Sequence, residues 1–231
     1  MDKAEFDRFA DEYHALHARN IAASGETPDF FAEYKIRDIA AEIERRKFSC
    51  ESVLDFGAGV GSSIPWVRKH LPAAQLTCID VSERSLDVAK QRFGERERFV
   101  HFDGHTLPFD TPCFDLAYAM CVFHHIPHDE HVRLLGEIRR VLRPGGLLVV
   151  FEHNPYNPLT VKAVNTCEFD ANARLIPASK LRRASRVAGF DQIGVRYRIF
   201  FPHALEALRP MERYLIAIPL GAQYSVYASR T

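Results

Sequence analysis

The stretch VLDFGAGVGSS, residues 53–63, decides how the rest of the sequence is interpreted. A short apolar run carries Asp55 near its end, and Gly57, Gly59 and Gly61 then alternate with small residues. Glycine adopts positive φ angles at no steric cost and lets a ligand approach the backbone closely. A buried strand, a glycine turn and a following helix therefore predict a ligand site at the carboxyl end of a sheet strand.

Two common phosphate-binding motifs do not fit this turn. The dinucleotide fingerprint G-x-G-x-x-G requires a glycine where Ser62 stands, and the P-loop requires a lysine directly after Gly61. What remains is D-x-G-x-G-x-G, with Asp55 at the end of the strand. A carboxylate beside the turn suits a ligand that carries an ammonium group better than it suits a pyrophosphate.

From residue 51 onward, short apolar runs alternate with amphipathic segments, and this alternation predicts parallel strands joined by helical crossovers. Strands are predicted at 52–56, 75–81, 98–104, 114–123, 147–153, 191–201 and 223–230. Helices are predicted at 62–71, 82–94, 128–142 and 179–190. Pro210 interrupts the helical pattern between the last two strands, so these two can form an antiparallel pair at one edge.

Composition and charge limit the classes of function. Lysine and arginine number 30, as do aspartate and glutamate, so the overall charge gives no reason to expect a nucleic-acid-binding protein. Five cysteines, without C-x-x-C spacing, indicate reduced thiols in a cytoplasmic protein. No apolar run approaches the roughly 20 residues of a membrane span, and the charged N-terminal segment is unlike a signal peptide. We expect a cytoplasmic protein that acts without a membrane.

The ordered motifs of residues 51–152 resemble those of class I S-adenosylmethionine-dependent methyltransferases, in particular the small-molecule branch similar to methyltransferase type 11. In that family the second strand ends in an acid that holds the ribose hydroxyls, and here Asp80 stands at that place. The third strand of the family ends near the adenine, where this sequence has Asp103 and Gly104. The fourth strand resembles the wall of the methionine pocket, with Met120 near its end.

The resemblance implies a Rossmann-like α/β sheet, mostly parallel with an antiparallel edge strand, and with helices on both faces. Amphipathic patterns predict two further helices at 3–20 and 29–47. By resemblance, residues 1–48 form an N-terminal helical cap or lid, and residues 49–231 form the S-adenosylmethionine-binding domain. The two parts are expected to make one compact unit.

The resemblance also implies the cofactor and the reaction. S-adenosylmethionine is the expected methyl donor, S-adenosylhomocysteine its product, and an oxygen, nitrogen or carbon centre of a small molecule the acceptor. The cofactor-binding residues implied in this way are Tyr13, Asp55, Gly57, Gly59, Gly61, Asp80, Val81, Asp103, Gly104 and Met120.

Histidines supply the candidate catalytic groups. His125 follows the fourth strand and His153 follows the fifth, and each is a candidate base or acceptor-orienting group. Around His125, the segment 124–131 contains four histidines. Of these, His124 and His128 can share a helix face and bind a metal with Asp129 or His131. Because similar histidine pairs recur in metal-free members of the resembled family, we predict no bound metal.

Polar residues also leave the fifth strand in the stretch FEHNPYNPLT, residues 151–160. Glu152 and Asn154 enter a loop that Pro155 and Pro158 are predicted to stiffen. Polar groups on a rigid loop suit substrate recognition, and a polar turn braced by proline is the alternative interpretation.

Two other functions are compatible with the sequence. The arginine-rich segment 174–198 can recruit RNA or a protein as the methyl acceptor, although no RNA-binding domain is recognisable. A cofactor-binding partner protein without catalysis is the second alternative, because the glycine turn and Asp80 indicate binding rather than turnover.

Overall fold

The computed structural model describes residues 13–94 and 96–231 of the chain. Its strands are β1 Ser52–Phe56, β2 Gln75–Asp80, β3 Arg98–His101, β4 Phe114–Met120, β5 Leu142–His153, β6 Asp191–Arg198 and β7 Gln223–Ser229. The described α-helices are α1 Tyr13–Ile21, α2 Pro28–Arg46, α3 Ile64–His70, α4 Glu83–Phe93, α5 His131–Val141, α6 Pro158–Asn165, α7 Ala178–Val187 and α8 Glu212–Leu215. Short 3-10 helices lie at Ala22–Ser24, Phe123–His125, Glu168–Asp170 and His203–Met211. Within the described ranges, no helix combines the length and the apolar character that crossing a membrane requires.

The seven strands form one sheet in the order β3-β2-β1-β4-β5-β7-β6. The pairs from β3 to β5 are parallel, whereas β7 runs antiparallel to both β5 and β6. The predicted mostly parallel sheet with an antiparallel edge is therefore confirmed. Strand order reverses between β1 and β4, and such a reversal opens a crevice at the carboxyl ends of the strands.

Helices cover both faces of the sheet because successive side chains of a strand point to opposite sides. Val53 of β1 packs in a buried cluster with Ile39 of α2. Its neighbour Leu54 packs in a second buried cluster with Ile138 of α5. A parallel sheet buried on both faces explains why its strands are apolar runs without polar alternation.

The N-terminal helices pack onto this sheet. In α2, the side chain of Thr27 accepts a hydrogen bond from the amide of Phe30 at 3.2 Å, and Pro28 takes a first-turn position. α2 lies in the helical layer on one face, and α1 packs against α2 and α6. The boundary after residue 48 and a lid function for residues 1–48 stay predictions, and residues 1–12 lie outside the described residues.

Acidic residues of α2 pair with arginines of β6. Glu42 accepts a hydrogen bond from Arg196 at 2.8 Å, and two arginines of α2 also bond to it. Burial raises the pKa of Glu42, but the bonds from the three arginines lower that pKa to about 2. Asp38 pairs with Arg198 in the same way. Two arginines of the segment 174–198 are thus used within the fold.

Several elements differ from the sequence-based expectation, among them the end of the fourth strand, the start of the fifth and the loop that follows it. The fourth strand ends at Met120 because Cys121 has a φ of +59°, which turns the chain away from the sheet. β5 starts at Leu142 and includes the R-P-G-G residues predicted as a turn, with an irregularity in its pairing to β4. Pro158 does not stiffen a loop but takes a first-turn position in α6, with Asn157 accepting a hydrogen bond from the amide of Thr160 at 3.0 Å.

Candidate active site

The glycine turn lies at the carboxyl end of β1, and each of its glycines has a positive φ. The angles are +76° at Gly57, +52° at Gly59 and +76° at Gly61. A Cβ atom at Gly57 would lie 2.6 Å from the side chain of Val122, and one at Gly61 would lie 2.8 Å from Ile64. At Gly59 a Cβ atom would meet nothing within 4 Å. Two glycines therefore permit tight packing, and the middle one faces open space.

Asp80 joins the turn to the end of β2. One carboxylate oxygen accepts a hydrogen bond from the amide of Gly59 at 2.8 Å, and the other accepts one from the amide of Ser82 at 2.9 Å. Ser82 is in turn the N-cap of α4, as the sequence predicted. A carboxylate can accept several hydrogen bonds, so Asp80 has the chemistry to bind hydroxyl groups.

Val81 and Gly104 lie next to each other beyond the ends of β2 and β3. A Cβ atom at Gly104 would lie 3.5 Å from a methyl group of Val81. Asp103 is exposed, and one of its oxygens accepts hydrogen bonds from the amides of His105 and Thr106 at 2.7 and 2.9 Å. These two bonds lower the pKa of Asp103. The predicted ribose and adenine positions are thus adjacent along one edge of the sheet.

Asp55 lies beneath the turn and is only 3% exposed. It accepts hydrogen bonds from the hydroxyls of Ser63 and Tyr118, the latter at 3.0 Å. Burial raises the pKa of Asp55 to about 7, although both hydroxyls act in the opposite direction. In this structure Asp55 holds the start of α3 to the sheet, and its contact with a ligand ammonium group stays a prediction.

Two predicted cofactor residues remain, one in the sheet and one in the first described helix. Met120 is the last residue of β4, half-buried, and is paired in register with Phe151 of β5. Tyr13 begins the described part of α1, and its side chain lies outside what the structure describes. Both contacts stay predictions.

A polar cluster follows β4 that the sequence did not indicate. The Cys121 sulfur lies 3.6 Å from Nζ of Lys35, and Nε2 of Gln223 lies 3.9 Å from the same sulfur. The Tyr34 hydroxyl donates a hydrogen bond to Gln223. Burial raises the pKa of Cys121, but Lys35 and His153 lower that pKa to about 7. Only the place of Cys121 directly after β4 hinted at this cluster, because its other members come from distant elements.

A second polar cluster is buried between the ends of β4 and β5. Glu152 accepts hydrogen bonds from His124 Nδ1 at 2.6 Å and from the amide of Phe123 at 2.7 Å. His124 and Glu152 are almost completely withdrawn from solvent. Burial lowers the pKa of His124, but the carboxylates of Glu152 and Asp170 raise that pKa to about 10.

The two candidate catalytic histidines both contact His124. The ring centroids of His124 and His125 are 4.2 Å apart, and those of His124 and His153 are 5.2 Å apart. His125 Nε2 lies 3.3 Å from Asp170, and the pKa of His125 is lowered chiefly by burial. Burial also acts to lower the pKa of His153, but Cys121 outweighs it and raises that pKa.

The metal-ligand grouping considered from the sequence is not assembled. His124 lies in a 3-10 helix that ends at His125, so it shares no helix face with His128, which is exposed. His131 Nε2 donates to the carbonyl oxygens of Phe123 and Ile126 at 2.9 and 3.0 Å. The structure instead brings His124 and His125 together with Asp170.

Comparisons with known proteins agree with this arrangement. Residues 54–150 match the family model described as a methyltransferase domain. A demethylmenaquinone methyltransferase of Thermotoga maritima is 30% identical over 152 residues, which cover 66% of this chain and 61% of that protein. The O-methyltransferase cnsE of Penicillium expansum is 33% identical over 155 residues, covering 63% and 54%. The chain thus spans less than two thirds of the length of these curated relatives.

A solved structure shares the whole fold. The crystal structure of an S-adenosylmethionine-dependent methyltransferase of Thermotoga maritima, described as a possible histamine N-methyltransferase, superposes with a TM-score of 0.68. The superposition covers 99% of both chains at 19% sequence identity. At that identity the likeness concerns the fold.

Proposed function

We propose that the chain, whose residues 54–150 match a methyltransferase domain, transfers a methyl group from S-adenosylmethionine to an oxygen, nitrogen or carbon atom of a small molecule. The observation that carries this proposal is the open backbone at Gly59, tied by its amide to Asp80 at 2.8 Å. A turn without side chains beside a carboxylate at the crevice of the sheet suits a nucleoside ligand.

The residues present fit the cofactor. Asp80 would accept hydrogen bonds from the ribose hydroxyls, and Val81 and Gly104 would flank the adenine. Because nothing lies within 4 Å of a Cβ position at Gly59, the backbone there can be approached closely. Asp55 lies directly beneath, and its carboxylate would favour the ammonium group of the methionine part.

S-adenosylmethionine, when bound, supplies a methyl group that is already activated by its cationic sulfur. The residues of the chain then have to position the acceptor in line with that methyl group and keep water away. Positioning of this kind is worth about 7–11 kcal/mol of the barrier. The loop after β4 is suited to this role because Val122 packs against Gly57 of the cofactor turn.

His125 is the better candidate base of the two histidines. Burial lowers its pKa, so its imidazole is neutral near pH 7 and can accept a proton from a hydroxyl or ammonium acceptor. His153 holds its proton more tightly, because Cys121 raises the pKa of His153. A positioned base contributes about 10²- to 10⁴-fold to the rate.

The proposed acceptor is a small molecule. One curated relative is named a demethylmenaquinone methyltransferase and another an O-methyltransferase. The alternative of an RNA or protein acceptor depended on the segment 174–198, in which Arg196 and Arg198 are paired with acidic residues of α2. We therefore favour the small-molecule acceptor.

Two measurements test this proposal. Calorimetry with S-adenosylhomocysteine should show binding to the unchanged protein, and Asp80→Asn should weaken it at least tenfold. Asp87→Asn, at an exposed position of α4, is the matched control and should bind as the unchanged protein does. Unchanged affinity in Asp80→Asn would remove Asp80 from the site.

A screen of small acceptors with methyl-labelled cofactor, detected by product mass, then tests turnover. Labelled methyl on an acceptor would exclude the non-catalytic alternative. In that assay His125→Ala should lower turnover more than cofactor affinity, and equal rates would reject a role as base.

A further inference from the structure

Apart from His125, the candidate base, the second polar cluster has no part in the proposed methyl transfer. His124 Nε2 lies 3.5 Å from Asp170 Oδ1, and His125 Nε2 lies 3.3 Å from the same oxygen. The three ligand atoms all lie within 4.8 Å of one another. We propose that His124, His125 and Asp170 bind a divalent transition-metal ion of the Zn²⁺ class. This proposal goes beyond the proposed function and departs from the sequence-based expectation of no metal.

The distances suit metal ligands better than hydrogen-bond partners. An N–H···O hydrogen bond normally spans about 2.7–3.2 Å. A tetrahedral Zn²⁺ ion with ligands at about 2.0–2.1 Å holds those ligand atoms roughly 3.3–3.4 Å apart. Both distances from Asp170 Oδ1 lie close to this separation. Among the residues that the structure describes, none donates a hydrogen bond to this buried oxygen.

Glu152 orients the first histidine for such a role. Its carboxylate lies 2.6 Å from His124 Nδ1, so Nδ1 carries a hydrogen and Nε2 is the nitrogen that faces Asp170. An imidazole nitrogen without a hydrogen and a carboxylate oxygen are both acceptors. A cation must therefore lie between His124 Nε2 and Asp170 Oδ1, either as a proton on the imidazole or as a metal ion. A carboxylate that holds the far nitrogen of a histidine is the usual support of a metal ligand in proteins.

The charge of the cluster also favours a divalent ion. Glu152 and Asp170 are buried carboxylates, with side chains 0% and 3% exposed. Their two negative charges, with both imidazoles neutral, are balanced by one divalent cation. Buried carboxylates are costly unless a cation compensates them.

The donor set selects the kind of metal. Two imidazole nitrogens and one carboxylate oxygen suit Zn²⁺, Co²⁺ or Fe²⁺, whereas Ca²⁺ and Mg²⁺ prefer oxygen ligands. Three protein ligands leave at least one coordination position of the metal open. The metal would also take the lone pair of His125 Nε2, so the role of His125 as base applies to the metal-free protein.

The experiment uses Co²⁺ as a spectroscopic probe. The purified full chain is dialysed against EDTA and titrated with Co²⁺, and Zn²⁺ is then added as a competitor. We expect saturation at one Co²⁺ per chain, visible d–d absorption, and displacement by Zn²⁺. X-ray absorption of the Co²⁺-loaded protein should show imidazole ligands and no sulfur.

Three variants test the ligands and the carboxylate that supports them. Asp170→Asn and His125→Ala should weaken Co²⁺ binding at least 100-fold, and Glu152→Gln about 10- to 100-fold. His128→Ala, a nearby exposed histidine, and Cys121→Ser, a neighbouring thiol, are the matched controls and should leave Co²⁺ affinity unchanged. Circular dichroism and thermal melting establish that each variant is folded.

Three outcomes would overturn the proposal of a metal site. Absence of saturable Co²⁺ and Zn²⁺ binding, a sulfur ligand in the absorption spectrum, or full affinity in folded Asp170→Asn would each do so. Calorimetry with S-adenosylhomocysteine is a separate measurement, so failure of the metal site and failure of the proposed function are distinguishable.

Discussion

The amide of Gly59 donates a hydrogen bond of 2.8 Å to the carboxylate of Asp80, although the two residues belong to different turns of the sheet edge. This bond fixes the backbone of the glycine turn against the end of β2. It leaves the side of Gly59 that would carry a Cβ atom open, with nothing within 4 Å. The backbone of the proposed cofactor cradle is therefore held by a hydrogen bond within the protein itself.

Gly59→Ala should separate cofactor binding from stability. The added methyl group meets no protein atom, so the cost to folding is only the strain of a positive φ, about 1–2 kcal/mol. The same methyl group would enter the cradle and lower the affinity for S-adenosylhomocysteine about tenfold or more. Calorimetry and urea unfolding measure the two effects.

Gly145→Ala is the matched control for this substitution. Gly145 also has a positive φ, +83°, and open space around its Cβ position, but it lies near the start of β5, away from the carboxyl edge of the sheet. The Gly145→Ala variant should lose a comparable free energy of unfolding and keep its affinity for S-adenosylhomocysteine. Equal affinities in Gly59→Ala and Gly145→Ala would contradict the proposed cradle.

Asp55→Asn should alter the pH dependence of stability. The folded-state pKa of Asp55 is raised to about 7 from an ordinary value of 3.8. The folded state therefore binds the proton more tightly, and stability present below pH 4 is lost as pH rises to 7, on the order of 4 kcal/mol. Asparagine imitates the protonated carboxyl group and removes this dependence.

Urea midpoints between pH 4 and pH 8 check that expectation. The variant should gain stability relative to the unchanged protein as pH rises and be the more stable of the two at pH 8. A difference between the two proteins that stays constant over this range would show that Asp55 does not titrate as described.

Glu42→Gln should have the opposite pH signature. The pKa of Glu42 is lowered to about 2 by three arginines, so its contribution is present above pH 4.5 and lost as pH falls toward 2. The expected contribution at pH 7 is about 3 kcal/mol. Urea unfolding between pH 2 and pH 7 measures it, with Glu44→Gln, at an exposed position two residues along α2, as control. If Glu42→Gln lost no more free energy of unfolding at pH 7 than the control Glu44→Gln, the stabilising role of Glu42 would be refuted.

Lys35→Met should make Cys121 less reactive at neutral pH. Lys35 is one of two groups that lower the pKa of Cys121 to about 7. Without its charge, the pH at which Cys121 is half-alkylated should rise by about 1–3 pH units. Iodoacetamide labelling with peptide mass spectrometry follows each cysteine separately.

Two internal comparisons accompany that experiment. Burial raises the pKa of Cys50 to about 12, so Cys50 should remain unmodified at neutral pH in every variant. Lys69→Met removes a lysine that is paired with Glu33, and it should leave the labelling of Cys121 unchanged. An unshifted profile in Lys35→Met would show that Lys35 does not activate the thiol.

Local patterns explain what the sequence could predict. The glycine turn, the acid at the end of β2 and the caps of α4 each depend on a few adjacent residues. Ser82 accepts a hydrogen bond from the amide of Ser85 at 3.0 Å, and the amide of Gly94 bonds to Lys90 at 2.8 Å, so both predicted caps are confirmed. The mostly parallel pairing followed from the alternation of such local motifs along the chain.

Distant pairings explain what the sequence could not predict. Asp170 reaches His124 only because the segment after α6 folds back over the end of β4. Glu42 and Arg196 are likewise far apart in the chain. No periodicity or spacing in the sequence predicts either pair. The φ of +59° at Cys121 was equally unpredictable, because a positive φ is unusual for a residue other than glycine.

Strand β7 connects the completion of the sheet with the polar cluster around Cys121. This strand lies between β5 and β6 although it follows both in the chain, and it pairs with both of them. Gln223, its first residue, then reaches Tyr34 and the Cys121 sulfur. The sheet and the polar cluster around Cys121 thus depend on the same strand. A chain cut before residue 223 would lose the pairing between β5 and β6 and the contacts of Gln223 together.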